Sequence, residues 1–293
     1  MNTNNSSNSI EDMAGAAKNI SETAKNFSDI IKSFISPSPI DEAIYEGYKD
    51  FIKKIIASNP PTPELLDFLN GFKQIVKQER RKKDVAEKAR QFLEDCAKPQ
   101  NISEDWFDFF FEKAKLVSNE EMKLIWSKVL AEEANYPGKI KPSLLHALSI
   151  MTYEQAQFFC NISRFALRAY KKQNVHLLVF ISKNRDSYEK FGITPRRLRE
   201  LDRLGLIDCD FEKEKVFKNK VNLVYGRHLL TVYGDENYEK KIKAGNLSFT
   251  DDGQALYDII DNYYKEYQVN VLNFIIDRFK ARNCKVILDD REI

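Results

Sequence analysis

Three arginines, Arg196, Arg199 and Arg203, stand at i, i+3 and i+7. That spacing gathers them on one face of a helix. A guanidinium is a planar fork of donors that fits phosphate oxygens and base edges, so such a face suits nucleic acid. Leu198 and Leu201 occupy the opposite side, and Leu204 and Leu206 extend it past a stop at Gly205. Arg197 lies beside the arginine face. Glu200 and Asp202 cancel part of its charge and offer the arginines intramolecular partners. Lys213, Lys215, Lys218 and Lys220 follow and read as a basic wing.

A second basic run spans Lys73 to Arg90 and includes Arg80, Arg81, Lys82 and Lys83. It offers a phosphate contact or a solvated helix face. The solvated face is the preferred reading, with Glu79–Lys83 and Asp84–Lys88 pairing at i,i+4. No aromatic residues interleave there to stack bases. The candidate nucleic-acid contacts are therefore Arg196, Arg197, Arg199, Arg203, Lys215, Lys218 and Lys220, with Arg80, Arg81, Lys82 and Lys83 as a second set.

Catalytic chemistry finds less support. A hydrolase needs a nucleophile beside a positioned base. His146 falls on a helix edge, His176 in an apolar strand, and His228 in a hairpin near Tyr225 and Tyr233. Glu120, Glu121 and Glu133 share a helix, but no Glu-x-x-His follows. Cys96, Cys160, Cys209 and Cys284 are far apart and match no metal spacing. They read as free thiols of a reducing cytoplasm. No Gly-rich phosphate loop occurs. The expectation is a non-enzyme with no catalytic, cofactor-binding or metal-binding residue, and with no cofactor.

The elements that must position the arginines belong to a chain of ordinary balance. It has 293 residues, 43% hydrophobic and 31% charged, with a net charge of +2. That charge argues against a uniformly basic nucleic-acid binder and leaves room for a local patch. No apolar run approaches the length of a membrane span, and the N-terminus does not read as a secretory signal.

Residues 1–40 read as an Asn/Ser-rich disordered tail and an amphipathic helix, with Ile10, Met13, Ala17, Ile20, Ala24, Phe27, Ile31 and Ile35 in one stripe. The helix suits packing or self-association better than a membrane, because its polar face holds few lysines. Ser36-Pro37-Ser38-Pro39 breaks the chain. Residues 41–172 read as a helical domain. Asp41 to Ala57 forms one helix, and Thr62 caps the next with Pro63 in its first turn. Ser103 caps a helix carrying Trp106, Phe110, Ala114 and Val117. Ser118 and Glu121 form a capping box for a second, which Tyr136-Pro137-Gly138 ends. Pro142 opens a third, and Thr152 with Gln155 caps a fourth, carrying Ala156, Phe159, Ile162, Phe165 and Ala166 inward. Four capped amphipathic helices with short connections imply a bundle, and the aromatic stripe implies its core.

Residues 173–293 change character. Val175 to Ile181 is a β-like run, Ile207 to Asp210 begins a strand, and Val221 to Tyr233 turns near Gly226. Leu204-Gly205-Leu206-Ile207 ending a helix, then strands, then Phe249-Thr250-Asp251-Asp252-Gly253 opening a helix, is a winged-helix-like order. A helix from Val269 to Ala281 and a strand from Cys284 to Leu288 follow. The fold class is thus mainly α (α+β), a helical bundle followed by a winged-helix-like α/β unit.

Asp105-Trp106, Phe109-Phe110, Ala114, Ser118, Glu120-Glu121-Met122, Trp126, Val129-Leu130-Ala131, Glu133, Pro137-Gly138, Leu145, Glu154 and Phe158-Phe159 carry a resemblance. They resemble the signature of an uncharacterised bacterial family, domain of unknown function 2806. The likeness is good from Glu79 to Phe165 and looser from Val175 to Ile260. Ile125, Val129 and Glu132 depart from the usual leucine, isoleucine and glycine. The resemblance implies no activity and no site residue. Some related helical families look like parts of bacterial phage-defence islands.

The function expected from all this is a non-enzymatic, cytoplasmic interaction or scaffold protein, a defence or stress component, with a protein partner or self-association. The alternative is a nucleic-acid-binding protein that uses the winged-helix-like unit. Membrane contact is expected only through the N-terminal amphipathic helix.

Overall fold

A computed structural model describes residues 25, 27, 29–31, 49, 50, 53, 57, 63–171, 174–179, 186–209, 216–235, 239–264, 269–289, 291 and 292. Of the expected N-terminal stripe, Phe27 and Ile31 are described, both helical and both buried. The rest of that stripe, the break at Ser36–Pro39, most of the helix expected over Asp41–Ala57, and Thr62, Lys213 and Lys215 lie outside the described residues. The chain divides into two compact units, Met1–Ser149 and Ile150–Ile293. Residue 172, where the sequence changes character, falls inside the second unit.

The described part of the first unit is helical: α1 (Pro63–Ala89), two short 3-10 turns at Arg90–Phe92 and Pro99–Asn101, α2 (Glu104–Ala114), α3 (Glu120–Asn135) and α4 (Pro142–Ile150). The Ser103 side chain accepts from Trp106 N and caps α2, with Glu104 and Asp105 at the positive end of its dipole. The cap of α3 is Asn119 rather than Ser118. Its side chain accepts from Met122 N at 2.9 Å, and no Ser118–Glu121 box forms. Asn and Ser cap equally well, so the choice falls to where the helix packs. α3 is the central rod, buried from Ile125 to Asn135 on all sides and packed against α1. Trp106 stacks on Phe110 at 5.1 Å, and Phe110 meets Trp126 edge-on at 5.2 Å. The aromatic stripe is therefore core.

The second unit mixes helices with antiparallel sheet. It contains α5 (Tyr153–Ser163), β1 (Ala166–Lys171), β2 (Asn174–Val179), α6 (Asp186–Glu189), α7 (Pro195–Arg203), β3 (Ile207–Cys209) and β4 (Val216–Lys218). β5 (Lys220–Tyr225), β6 (His228–Tyr233), β7 (Lys241–Lys243), β8 (Leu247–Phe249), α8 (Asp251–Tyr264), α9 (Val269–Lys280), β9 (Lys285–Leu288) and β10 (Arg291–Glu292) follow. The expected Thr152–Gln155 capping box is formed, with both hydrogen bonds present. Here too an expectation is overturned. The fourth helix does not run on through Ala166, because Ala166–Lys171 is a strand paired antiparallel with β2. Leu167 and Ala169 alternate with Arg168 and are fully buried, a period-two pattern that a helix would waste.

Eight strands form one sheet in the order β10-β9-β6-β5-β1-β2-β8-β3, while β4 and β7 form a separate ribbon. α5 packs against both α7 and α8. Phe165, Tyr188, Phe191 and Phe274 form an aromatic cluster with centroids 5.1 to 6.1 Å apart. It ties α6 and α9 to the end of α5.

Candidate nucleic-acid interface

α7 is a short helix defined at both ends by its own sequence. The Thr194 side chain accepts from Arg197 N and Pro195 occupies the first turn. At the other end Gly205 adopts φ +72, which an L side chain rarely tolerates. Leu206 N then donates to Leu201 O and Gly205 N to Asp202 O, the paired bonds of a Schellman motif. Leu198 and Leu201 are buried, 3% and 0% exposed, so the helix cannot rotate about its axis.

That fixes the other face. Arg196, Arg199 and Arg203 are all exposed. Arg196 Nε lies 3.4 Å from Glu200 in an exposed i,i+4 pair, a contact worth little in water. Arg197 has a different role: its guanidinium sits 5.3 Å over the Phe158 ring and braces α7 on α5. The sequence alone gave no reason to pair residues so far apart. Lys218 and Lys220 are exposed on either side of Asn219, whose φ of +65 turns the chain between β4 and β5. Lys220 also lies over Tyr233 at 5.4 Å.

Arg80, Arg81, Lys82 and Lys83 belong to α1 in the first unit, and three of them are engaged there. Arg81 donates to the carbonyls of Lys115 and Leu116 just past the end of α2. Lys82 pairs with Glu79 at 2.8 Å and Lys83 with Glu87 at 3.8 Å. The expected Glu79–Lys83 and Asp84–Lys88 pairs do not form. α1 packs on α3, and Asp84 and Lys88 turn to that helix instead: Lys123 lies 2.9 Å from Asp84 and 2.8 Å from Glu120, and Lys88 also pairs with Glu120. Arg80 remains exposed.

These bonds hold the Glu120 carboxyl down at about 2, through Lys123 first and Lys88 second. A folded-state pKa below the unfolded one contributes stability above the unfolded value and loses it as pH falls. The linkage is thus present above pH 4.5, the ordinary Glu120 value, and disappears towards about 2. The urea midpoint should fall across that window, and Glu120→Gln should flatten the fall. An identical acid profile in the variant would refute the linkage.

Three further titratable side chains among the described residues are Glu133, His228 and Cys209. Glu133, buried at the end of α3, accepts backbone N–H groups from Gly138 and Ile140. It borders a cleft of about 550 Å³ with Trp106, Phe109, Pro137 and Pro142. His228 Nδ1 lies 2.6 Å from Asp289 Oδ2, and Asp289 Oδ1 accepts from Leu229 N. That pair staples the turn after β9 onto β6. Burial pushes the Cys209 thiol up to about 12, far from a reactive thiolate. Among the described residues no three His, Cys, Asp or Glu side chains are grouped to hold a metal ion, and no helix is long and apolar enough to cross a membrane.

A family model described as "Protein of unknown function (DUF2806)" matches residues 72–273, more than half of the chain. The chain belongs to that family. No curated protein matches it, and no solved structure does.

Proposed function

We propose that this member of the family of domain of unknown function 2806 binds duplex nucleic acid, with α7 as its recognition helix. The carrying observation is the exposed Arg196–Arg199–Arg203 face, held outward by Leu198 and Leu201 on the buried side. Connectivity supports the reading. α5, β2, α6, α7, β3 and β8 occur in that chain order, with β1 and β4–β7 between them, and β8 lies between β2 and β3 in the sheet. We read that order as a winged-helix-like arrangement, with β1 added before its first strand and β4–β7 inserted in its wing. Such a module places its last helix in the major groove. Nothing in the reading requires a catalytic group.

The test is fluorescence anisotropy on a mixed-sequence duplex at about 50 and about 200 mM salt. Wild type should weaken steeply with salt. In an Arg196→Gln, Arg199→Gln, Arg203→Gln variant the log–log slope should shrink by about 2.7. Salt-insensitive binding, or a triple variant that binds like wild type, overturns the proposal.

A second reading is a non-enzymatic interaction or scaffold protein, for which the specific observation is on α1. Leu66 and Ile75 are 46% and 58% exposed there. Crosslinked pull-down from the native host with nuclease treatment separates the two readings. Partners that survive nuclease favour the scaffold, and partners lost with it favour nucleic acid.

A further inference from the structure

We propose that the two-stranded ribbon β4–β7 is a second phosphate-contacting surface, separate from α7 and built around a pair of opposed lysines. The proposal rests on the duplex-binding reading only for the identity of the polyanion.

The register is Val216↔Lys243, Phe217↔Ile242 and Lys218↔Lys241. Side chains alternate along each strand, so Phe217 and Ile242 share one face while Val216, Lys218, Lys241 and Lys243 share the other. Ile242 is fully buried, which settles which face is inward. The four residues of the other face are all exposed. Lys218 and Lys241 are therefore directly opposite, with Cβ atoms about 5 Å apart, where like charges repel. One acid mitigates this: Glu239 lies 2.5 Å from Lys241. Arg282, just past α9, donates to Lys243 O at 2.6 Å and brings a fourth cation to the same ribbon.

The base of the ribbon is rigid. Asn219 N donates to Lys240 O, Gly234 N to Asn219 O and Lys240 N to Asp235 O. A Cβ at Gly234 would stand 2.3 Å from Lys240 O, so only glycine permits this approach. The lysines thus project from a fixed support. A fixed array of cations, with Glu239 beside Lys241, suits a ligand with regularly spaced negative charges, as a phosphate backbone has.

Lysines also guard exposed strand edges against pairing with other chains. The experiment separates the two roles. Anisotropy against salt is measured on the mixed duplex for wild type, for Lys218→Gln with Lys241→Gln, and for the α7 triple variant, with melting temperatures for each. The lysine double variant should lose about thirtyfold in affinity at 0.15 M salt, and its slope should shrink by about 1.8, the signature of two lost phosphate contacts. Its melting temperature should hold or rise, since a repulsion is removed. Lys218→Glu should go further, pairing with Lys241, raising the melting temperature and weakening binding more.

An unchanged slope in the double variant overturns the ribbon proposal, as does self-association without loss of binding. If the double variant loses slope and the α7 variant does not, the ribbon stands and the α7 reading falls. The reverse result leaves α7 and removes the ribbon. A wild type without salt-sensitive binding removes both.

Discussion

Gly253→Ala is expected to unfold the second unit, or to cost it about 3–5 kcal/mol, the range of severe core damage. In an isolated helix the same change would gain about 1 kcal/mol. The sign reverses because of where the glycine sits. A Cβ at Gly253 would lie 1.7 Å from Leu206 O and 2.8 Å from Leu206 C. Those are backbone atoms and cannot swing aside.

The contact is also bonded. Thr250 N donates to Leu206 O, Thr250 Oγ1 donates to Gly205 O, and Gly253 N donates to Thr250 Oγ1. A methyl group would push α8 off the turn, break these bonds and lift Leu256, Tyr257 and Ile259 from the core. Urea denaturation with near-UV circular dichroism measures the effect. A folded Gly253→Ala protein within about 0.5 kcal/mol of wild type, the level of an innocuous surface change, would refute the packing. Thr250→Val should cost less, about 1–3 kcal/mol, since it leaves the close approach intact. The lock also matters for α7. Gly205 and Leu206 terminate that helix, so α8 holds the end of the arginine face in place.

Much of this was legible locally. Thr194, Pro195 and Gly205 bound α7 through chemistry that acts within five residues. Thr250 and Gly253 marked the start of α8 for the same reason, although nothing local showed that Gly253 faces Leu206. The Arg196–Arg199–Arg203 face follows from helical spacing alone. What escaped depends on long-range partners. β1 follows α5 after only Arg164 and Phe165, and its short alternation is apolar enough to extend a helix pattern. The β4–β7 pairing joins segments more than twenty residues apart, so Lys241 and Lys243 gave no sign of facing Val216 and Lys218. Arg81 and Arg197 look like surface charge until α2 and α5 are placed against them.

Glu133→Ala is expected to cost the first unit about 3–4 kcal/mol, because it strands two backbone donors at about 1–3 kcal/mol each. Glu133 is 2% exposed, an unusual place for a carboxylate. It also sits in the last turn of α3, where the helix dipole repels negative charge. What holds it is the loop that follows. Gly138 N donates to Oε1 at 2.6 Å, and Ile140 N donates to Oε2 at 2.8 Å. Ile140 O in turn accepts from Trp106 Nε1 at 2.9 Å.

One side chain therefore clamps α2, α3 and the start of α4 around a single loop residue. This accounts for a glutamate placed just before Pro137-Gly138, with Gly138 at φ +84. Gln at 133 keeps the volume but turns an NH2 towards a backbone N–H, so Glu133→Gln should still cost about 1–3 kcal/mol. Trp106→Phe should couple to it by more than 0.5 kcal/mol in a double-mutant cycle, as the two residues share Ile140.

The pH dependence runs opposite to that of Glu120. Burial raises the Glu133 carboxyl above its ordinary 4.5, against the pull of its backbone donors. A folded acid that holds its proton more tightly than the unfolded chain loses stability as pH rises. Stability should decline as pH climbs from 4.5 through the raised value, and Glu133→Gln should abolish that decline. A slope that persists in the glutamine variant would assign it to another group, and additive Trp106 and Glu133 effects would dissolve the clamp.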